Sequence, residues 1–472
     1  DYSSGHFTIT ENTGMFCPAM LEETATIAIK QLGINQRVNT GRRRKCIFLA
    51  IDASLHREGY RLKVNKEKIE ITGGSNAGVF YALQTLHQLS GSEGLPSKVP
   101  CVAITDYPRF CWRGLMLDCS RTFQSPEYLK KTIDRISYYK MNVLHLHLTD
   151  DQGWRLEIKS RSELTEKGAK FHPEYNEPER RQGFYSQKEM KDIIRYADSK
   201  GITIVPEIEM PGHSTAVLVC YPELCNGKFV DKIFPFFKGP SVTPDILCAG
   251  NEGTFALIED VIDEIVEVFP SEFIHIGGDE APKVRWERCL KCQKRIRDEG
   301  LRDEKELQSY FISRVEQYIR SKGRRLIGWS EIIEGGLAPN AAVMDWIGGA
   351  KEATEKGQDV VMSPTSHCYF DYPYTSINSE RAYAFDPVKD LSQGQSVHIL
   401  GLQANFWSHL DREPELVDKQ LFPRLLSIAE RGWSPSERTD WDSFRNRLEK
   451  HLAVLQRMGI SYYKEDVAES VR

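Results

Sequence analysis

The sequence predicts an α/β protein in which a (β/α)8 TIM barrel follows a small α+β domain. From residue 113 onward, eight short apolar runs each precede a polar loop and a stretch with helical spacing. Strands that alternate with helices form parallel sheets, and eight such strands close into a barrel. Before residue 107 the pattern differs, because alternating strand-like runs form a hairpin instead. We therefore place a small domain at residues 1–107 and the barrel at residues 108–472.

The small domain is predicted to combine short strands with two helices. In chain order these elements are strand 7–10, helix 22–32, strands 46–51, 59–64 and 68–71, and helix 77–89. The last two strands alternate in polarity about a turn at Asn65, which is typical of a hairpin. Residues 91–100 contain Gly, Ser and two Pro, and they are the predicted linker.

The barrel prediction also locates an active site. The predicted strands are residues 113–118, 143–150, 203–210, 273–280, 325–332, 342–347, 359–364 and 399–407. Barrel enzymes carry their chemistry at the carboxyl ends of the strands. Those ends hold Asp118, Arg121, Asp150, Asp151, Glu207, Glu209, His213, Asp279, Glu280, Trp329, Glu331, Asp345, Trp346, Trp407 and His409. Carboxylates do acid–base work and Trp faces stack on sugar rings, so we predict a carbohydrate-active enzyme.

Composition argues against other classes of protein. A formal net charge of −5 offers no basic field for nucleic acid. The apolar runs are far shorter than the ~20 residues of a membrane-spanning helix. We therefore expect neither a nucleic-acid partner nor a membrane span. Because the sequence has no Asn-x-Ser/Thr site, we favour bacterial export, with a secreted or periplasmic location.

The cysteines do not predict a metal or a cofactor. There are eleven, spread too thinly for a disulfide scaffold. Cys289 and Cys292 form a Cys-x-x-Cys pair, which has the spacing of half a zinc site or of a redox pair. No matching second pair lies nearby in the sequence, so we expect no metal there.

The sharpest motif is His275-Ile276-Gly277-Gly278-Asp279-Glu280. Neighbouring side chains on an extended strand point to opposite sides. Asp279 and Glu280 therefore cannot easily flank one glycosidic bond as the two carboxyl groups of ordinary glycosidases do. A division of labour remains, in which one carboxyl donates a proton and the substrate's own 2-acetamido group replaces the enzyme nucleophile.

Several motifs together resemble glycoside hydrolase family 20, the β-N-acetylhexosaminidases. They are the 113–121 strand motif ending in Asp118 and Arg121, the 145–154 run containing Asp150 and Asp151, Pro211-Gly212-His213, and the Asp279-Glu280 pair. The small domain also resembles the non-catalytic domain of that family. The likeness covers essentially the whole chain and implies a retaining, exo-acting enzyme that removes terminal GlcNAc-type sugars.

The resemblance implies a role for each matching residue. Glu280 would be the general acid and then the base, and Asp279 would orient the acetamido group and stabilise the oxazolinium charge. Tyr369 would donate a hydrogen bond to the acetamido oxygen. The expected substrate-binding residues are Arg121, Asp150, Asp151, His213, Trp329, Trp346, Asp371, Trp407 and His409. The sequence does not say which of the two adjacent aspartates faces the sugar.

Two other functions fit parts of the sequence. His145-x-His147 resembles a metal pair of a metal-dependent hydrolase, but the strands at 325–332 and 342–347 supply no further His. We therefore expect both His residues to be structural. A barrel that binds sugars without cleaving them is the other alternative, and its mark would be loss of Asp279, Glu280 or Tyr369.

One position departs from the pattern of the family. Its common motif after the pocket tryptophan is Trp-x-Glu, and this chain has Trp407-Ser408-His409. An imidazole replaces an acceptor by an N–H donor that can become cationic. Trp-x-His resembles a branch of the family that releases 6-sulfated GlcNAc, as found on mucin glycans. We expect a preference for 6-sulfo-GlcNAc; the alternative is an ordinary GlcNAc/GalNAc hexosaminidase in which His409 binds a plain sugar.

Overall fold

The computed structural model describes residues 2–40, 45–91, 94–225, 231–410 and 412–465. The strands are β1 Tyr2–Ile9, β2 Gly14–Phe16, β3 Cys46–Ile51, β4 Tyr60–Val64, β5 Lys68–Gly73, β6 Ser97–Asp106, β7 Trp112–Asp118, β8 Val143–His147, β9 Thr149–Asp150, β10 Gly153–Trp154, β11 Thr203–Met210, β12 Phe273–Gly277, β13 Arg325–Trp329, β14 Ala342–Asp345, β15 Val360–Met362 and β16 Ile399–Phe406.

The first two helices of the chain belong to the small domain. The helices that follow lie between or after the barrel strands and cover the outside of the barrel. In chain order the helices are α1 Glu22–Gln31, α2 Asn76–Ser90, α3 Pro126–Tyr138, α4 Glu163–Glu166, α5 Gln187–Asp198, α6 Thr215–Cys220, α7 Glu252–Val268, α8 Leu290–Asp298, α9 Glu304–Ser321, α10 Ala350–Glu355, α11 Thr365–Cys368, α12 Ser379–Ala384, α13 Gln393–Ser396, α14 Pro414–Leu421, α15 Leu425–Trp433 and α16 Trp441–Arg457.

Eight parallel strands close the barrel in the order β7-β8-β11-β12-β13-β14-β15-β16, with β16 pairing back to β7. This confirms the predicted fold and all eight predicted strands. A parallel strand covered on both faces reads as a continuous apolar run, and every residue of β7, β8 and β12 is buried. Several strands end earlier than predicted, because their last polar residues leave the sheet to form loops at the carboxyl end of the barrel.

The outer helices form because their sequences present one apolar face to the strands. In α3 the Ser125 side chain caps the amino end and Pro126 occupies the first turn, where a missing N–H is tolerated. Leu129, Ile133 and Ile136 then recur at helical spacing and are fully buried. Burial of such a face supplies about 1.5–3 kcal/mol for each large apolar side chain.

The small domain is a six-stranded sheet in the order β1-β6-β4-β5-β3-β2, with α1 and α2 packed against it. The six predicted elements are present, but the prediction missed β2 and β6. The predicted linker at 91–100 is wrong over its last residues, because Ser97 begins β6; Ser92 and Glu93 lie outside the described residues. Pro100 is tolerated in β6 beside an irregularity in the β1–β6 pairing, where a donor is dispensable.

The two domains share a packed interface at the amino end of the barrel. The small sheet ends at Asp106 and the first barrel strand begins at Trp112, on either side of the predicted boundary. Trp433 of α15 packs into the core of the small domain, with its ring centroid 5.3 Å from that of Tyr81. The interface therefore fixes the small domain to the end of the barrel opposite the carboxyl ends of the strands.

Candidate active site

A cavity of about 320 Å³ opens at the carboxyl ends of the barrel strands. Ten of the predicted site residues line it: Arg121, Asp150, His213, Asp279, Glu280, Trp346, Tyr369, Asp371, Trp407 and His409. A larger cavity of about 780 Å³ lies between the small domain and the amino end of the barrel. We assign the chemistry to the smaller one, because barrel active sites lie at the carboxyl end.

The loop after β12 brings two adjacent carboxyl groups to the same cavity. Gly277 and Gly278 have φ values of +68° and +91°, so the chain leaves the strand in a left-handed conformation that favours glycine. A Cβ at Gly277 would overlap the Glu209 carboxylate. Glu280 also has a positive φ, +42°. This turn removes the alternation of an extended strand, and Asp279 and Glu280 both reach the cavity.

Glu280 ends a chain of charged contacts that crosses the site. Its Oε2 lies 3.3 Å from His213 Nε2, and His213 Nδ1 lies 3.2 Å from Asp150 Oδ1. The other oxygen of Asp150 lies 2.8 Å from Arg121 Nη2. Glu280 is the exposed member, since 43% of its side chain is accessible while that of Asp150 is buried. The Glu280 carboxyl group therefore faces the cavity, with His213 behind it.

The charges in this chain place a proton on His213. Burial disfavours a charged imidazole, but Asp150, Asp151 and Glu280 outweigh it and hold the pKa of His213 well above 6.5. The hydrogen bond from His213 in turn lowers the pKa of Glu280 below 4.5, against the effect of burial. Without substrate, the pair is therefore an imidazolium and a carboxylate.

Asp279 lies beside a second buried acid that the predicted site did not include. Burial raises the pKa of Asp279, and it raises the pKa of Glu209 well above 4.5, with Asp279 adding to the shift. Glu209 Oε1 accepts the backbone N–H of Gly278 at 3.2 Å. Glu209 therefore holds the proton of this pair and leaves Asp279 as the anion that faces the cavity.

Aromatic side chains form the opposite wall. Trp346 and Tyr369 stack with ring centroids 6.0 Å apart and planes 18° apart. Trp407 carries the Arg121 guanidinium 4.7 Å from its ring centroid. Asp371 shares this wall, and burial raises its pKa to about 7. The cavity thus combines flat apolar faces with carboxyl groups, which suits a sugar ring.

Two predicted residues do not line the cavity. Trp329 lies one layer below it, 1% exposed, where its Nε1 donates to Glu207 Oε1 at 2.7 Å. The expectation that it walls the sugar pocket is corrected to a supporting position beneath Trp346 and Trp407. Asp151 is also buried and accepts the backbone N–H and hydroxyl of Thr215. Of the two aspartates, Asp150 is therefore the one on the cavity.

His145 and His147 belong to a buried polar network centred on Glu207. Glu207 contacts His145 at 3.1 Å and His275 at 3.0 Å. His147 connects this network to the cavity through Asp150, 2.7 Å from its Nε2. Trp329 Nε1 donates to one Glu207 oxygen, and His147 Nδ1 hydrogen-bonds the other at 2.5 Å.

Sequence reasoning omitted three acidic residues and one loop from the site. Glu207, Glu209 and Glu331 were visible among the strand-end residues, but their burial and their partners were not. Burial raises the pKa of Glu331 to about 7, with Asp279 adding to the shift, and its Oε2 accepts Trp346 Nε1 at 2.8 Å. The omitted loop contributes Phe236, Ser241 and Val242 to the cavity wall. No motif marks that loop.

His409 lies at the cavity edge as the sequence placed it. The residue is half-buried, and its ring centroid is 4.8 Å from that of Phe236. Arg121, the guanidinium on the cavity, is already paired with Asp150 and Asp118. His409 is therefore a basic side chain at the rim that lies outside the Glu280–His213–Asp150 chain.

The closed barrel and its acidic, aromatic cavity place the chain in the class of barrel glycoside hydrolases. Comparison with known families makes this specific. The model of the glycosyl hydrolase family 20 catalytic domain matches residues 110–436, and that of domain 2 of the family matches residues 1–107. The chain belongs to glycosyl hydrolase family 20.

Individual relatives agree with the family. A β-hexosaminidase of Porphyromonas gingivalis is 42% identical over 88% of this chain, which spans 56% of the length of that protein. The crystal structure of a Vibrio harveyi exo β-N-acetylglucosaminidase in complex with N-acetylglucosamine has a TM-score of 0.87 at 30% identity, covering 98% of this chain and 77% of that one. A Bacteroides fragilis β-N-acetylhexosaminidase has a TM-score of 0.85 at 31% identity, covering 98% and 95%.

Proposed function

We propose that the protein is a retaining exo-β-N-acetylhexosaminidase that uses the 2-acetamido group of its substrate as the nucleophile. One observation carries this proposal: Asp279 and Glu280 reach the cavity from one loop, with His213 Nε2 within 3.9 Å of the first and 3.3 Å of the second. Carboxyl groups from one loop do not flank both faces of a sugar. This arrangement supports an attacking group that comes from the substrate itself.

The mechanism divides the work between the two carboxyl groups. A proton shift from His213 Nε2 to Glu280 Oε2 makes Glu280 the acid that protonates the leaving oxygen as the glycosidic bond breaks. The acetamido oxygen attacks the anomeric carbon, and Asp279 stabilises the resulting oxazolinium cation. Water then attacks that carbon and displaces the acetamido oxygen, which regenerates the 2-acetamido group. Glu280 takes a proton from the water, and the sugar leaves with its configuration retained.

Leaving-group dependence tests the role of Glu280. In Glu280→Gln we expect kcat for an alkyl N-acetylglucosaminide to fall by about 10²–10⁴-fold, because the amide cannot protonate the leaving oxygen. The nitrophenyl analogue needs less protonation and should lose less. Glu334→Gln is the control and should retain activity, because Glu334 is exposed and does not line the cavity. An equal loss on both substrates, with glycosylation rate-limiting in each, would contradict the assignment.

We propose further that the preferred sugar is 6-sulfo-GlcNAc, with His409 as the group that recognises the sulfate. Its position at the cavity edge supports this, since an imidazole donates to an anion where the common carboxylate of the family would repel one. Mucin-type glycans that carry this sugar are the corresponding natural substrates. A charge-assisted hydrogen bond contributes about 1.5–3 kcal/mol, or roughly 10–150-fold in kcat/KM.

Paired nitrophenyl sugars test this preference. The wild type should favour the 6-sulfated sugar, and the selectivity should shrink as pH rises and imidazole loses its proton. His409→Glu should restore preference for plain GlcNAc. His367→Glu is a matched control. Like His409, His367 is half-buried and packs against a phenylalanine ring, that of Phe385, but it does not line the cavity. Wild-type preference for the plain sugar would rule out sulfate recognition without touching the hexosaminidase proposal.

A further inference from the structure

Three cysteine side chains converge outside the sugar cavity. Cys248 Sγ lies 3.6 Å from Cys289 Sγ and 3.6 Å from Cys292 Sγ, and all three sulfur atoms lie within 4.8 Å of one another. A disulfide requires a separation of about 2.05 Å. Tetrahedral zinc with Zn–S bonds of about 2.3 Å separates its sulfur ligands by about 3.8 Å. The observed spacing is therefore close to that of thiolates around one ion.

The chain builds this cluster from two segments that are far apart in the sequence. Cys289 is the N-cap of α8 and Cys292 lies in its first turn, so the pair spans the positive end of the helix dipole. Cys248 approaches from the loop before α7. Gly250 permits this approach, because a Cβ there would overlap the backbone of Lys291.

We propose that Cys248, Cys289 and Cys292 bind one zinc ion as thiolates. Thiolate sulfur is a preferred zinc ligand, and a Cys-x-x-Cys pair with a third cysteine supplies three of the four positions. Cys248 and Cys292 are buried, whereas Cys289 is partly exposed, so solvent water completes the tetrahedron on the Cys289 side. Binding displaces the thiol protons to solvent, and no oxidant or reductant takes part.

The proposed site joins two segments that continue to the sugar cavity. Trp286 Nε1 donates to Leu247 O at 3.0 Å, and Arg285 pairs with Asp245 at 2.9 Å. Ser241 and Val242 on the first segment and Glu280 on the second line the cavity. A metal at the far end of both segments would hold the wall of the cavity against the catalytic loop.

Metal analysis of the untagged protein tests the proposal. Protein purified with zinc in the buffer and then gel-filtered should retain about one zinc per chain. Cys248→Ser and Cys289→Ala should each lose most of it, and Cys101→Ala, a buried thiol of the small domain, should retain it. Cobalt substituted for zinc should give the sulfur-to-cobalt charge-transfer bands of a thiolate site in wild type and in Cys101→Ala alone.

Three results would overturn the proposal. One is wild-type protein that retains no zinc, which is decided without any variant. Another is zinc retained in full by Cys248→Ser and Cys289→Ala, which would place the ion elsewhere. The last is a disulfide in the cluster. Thiol titration of protein denatured in chelator without reductant would then find two fewer than the eleven cysteine thiols. Hexosaminidase activity enters none of these measurements, so they are independent of the proposed function.

Discussion

Two largely buried arginine side chains near opposite ends of β7, Arg113 and Arg121, use their hydrogen-bonding groups differently. At the amino end, Arg113 donates to Glu58, to the Tyr81 hydroxyl and to the carbonyl groups of Phe110 and Lys140. Every nitrogen of its guanidinium has a partner within the protein. Arg113 is therefore a structural residue that ties the barrel to the small domain.

At the carboxyl end, the Arg121 side chain is 10% exposed and incompletely bonded. It pairs with Asp150 at 2.8 Å and lies 3.5 Å from Asp118, yet Nε and Nη1 have no hydrogen-bond partner among the described residues. Unmet hydrogen-bonding capacity in a buried group is unfavourable unless something else satisfies it. Sugar hydroxyls at the cavity would do so. The contrast teaches that charge and burial do not distinguish structural from ligand-binding arginines, whereas unused donors do.

The largest effect on stability is expected at the amino end. Arg113→Met leaves the Glu58 carboxylate without its cation, although the neutral donors Tyr81 and Asn142 remain. Breaking a buried ion pair costs about 3–5 kcal/mol. We expect the free energy of unfolding, measured with denaturant, to fall by that amount while kcat of the folded protein is unchanged. The double variant Arg113→Met/Glu58→Met removes both charges and should recover much of the loss. A single variant as stable as wild type would refute the structural assignment.

At the carboxyl end the order of effects should reverse. Arg121→Met removes donors that the proposed substrate needs, so kcat/KM should fall by about 10–150-fold for each charge-assisted bond lost. Stability should change less than in Arg113→Met, because His147 and His213 still contact Asp150. Arg121→Lys keeps the positive charge but not the bidentate donor geometry of the guanidinium. It should match wild type in stability but not in kcat/KM. If Arg113→Met and Arg121→Met lost the same stability and the same kcat/KM, the distinction between the two arginines would be wrong.

The smallest effect concerns pH. The raised pKa of His213 means that the folded protein holds a proton the unfolded chain releases near pH 6.5. The resulting stabilisation is complete below that pH and declines as pH rises toward the folded pKa, by up to about 1.36 kcal/mol per pH unit. The unfolding free energy of wild type minus that of His213→Gln should therefore shrink above pH 6.5. A difference that stays constant there would show that His213 is not charged.

The eight barrel strands could be predicted because burial on both faces makes each one a continuous apolar run. Their ends could be predicted to form the site because parallel strands share one carboxyl edge. The depth of each side chain relative to the cavity could not be predicted from the sequence. Trp329 ends β13 and Trp346 follows β14, and only the packed structure places the first beneath the cavity and the second on it.

Contacts between segments that are distant in the chain also could not be predicted from the sequence. Asp150 and Asp151 are neighbours, and their different contacts depend on His213 in the loop after β11 and on Thr215 at the start of α6. In the same way, Cys248 is separated from the Cys-x-x-Cys pair by the whole of α7. No local periodicity relates residues of this kind, because their proximity is created when the barrel closes.

The packing of Trp433 against the small domain bears on the order in which the chain folds. The core of the small domain is formed by residues from the first quarter of the chain together with this one tryptophan from near its end. During synthesis, the amino-terminal sheet therefore emerges long before one of its core side chains exists. We expect the final consolidation of the small domain to wait for α15, so that a domain made before the barrel is completed after it.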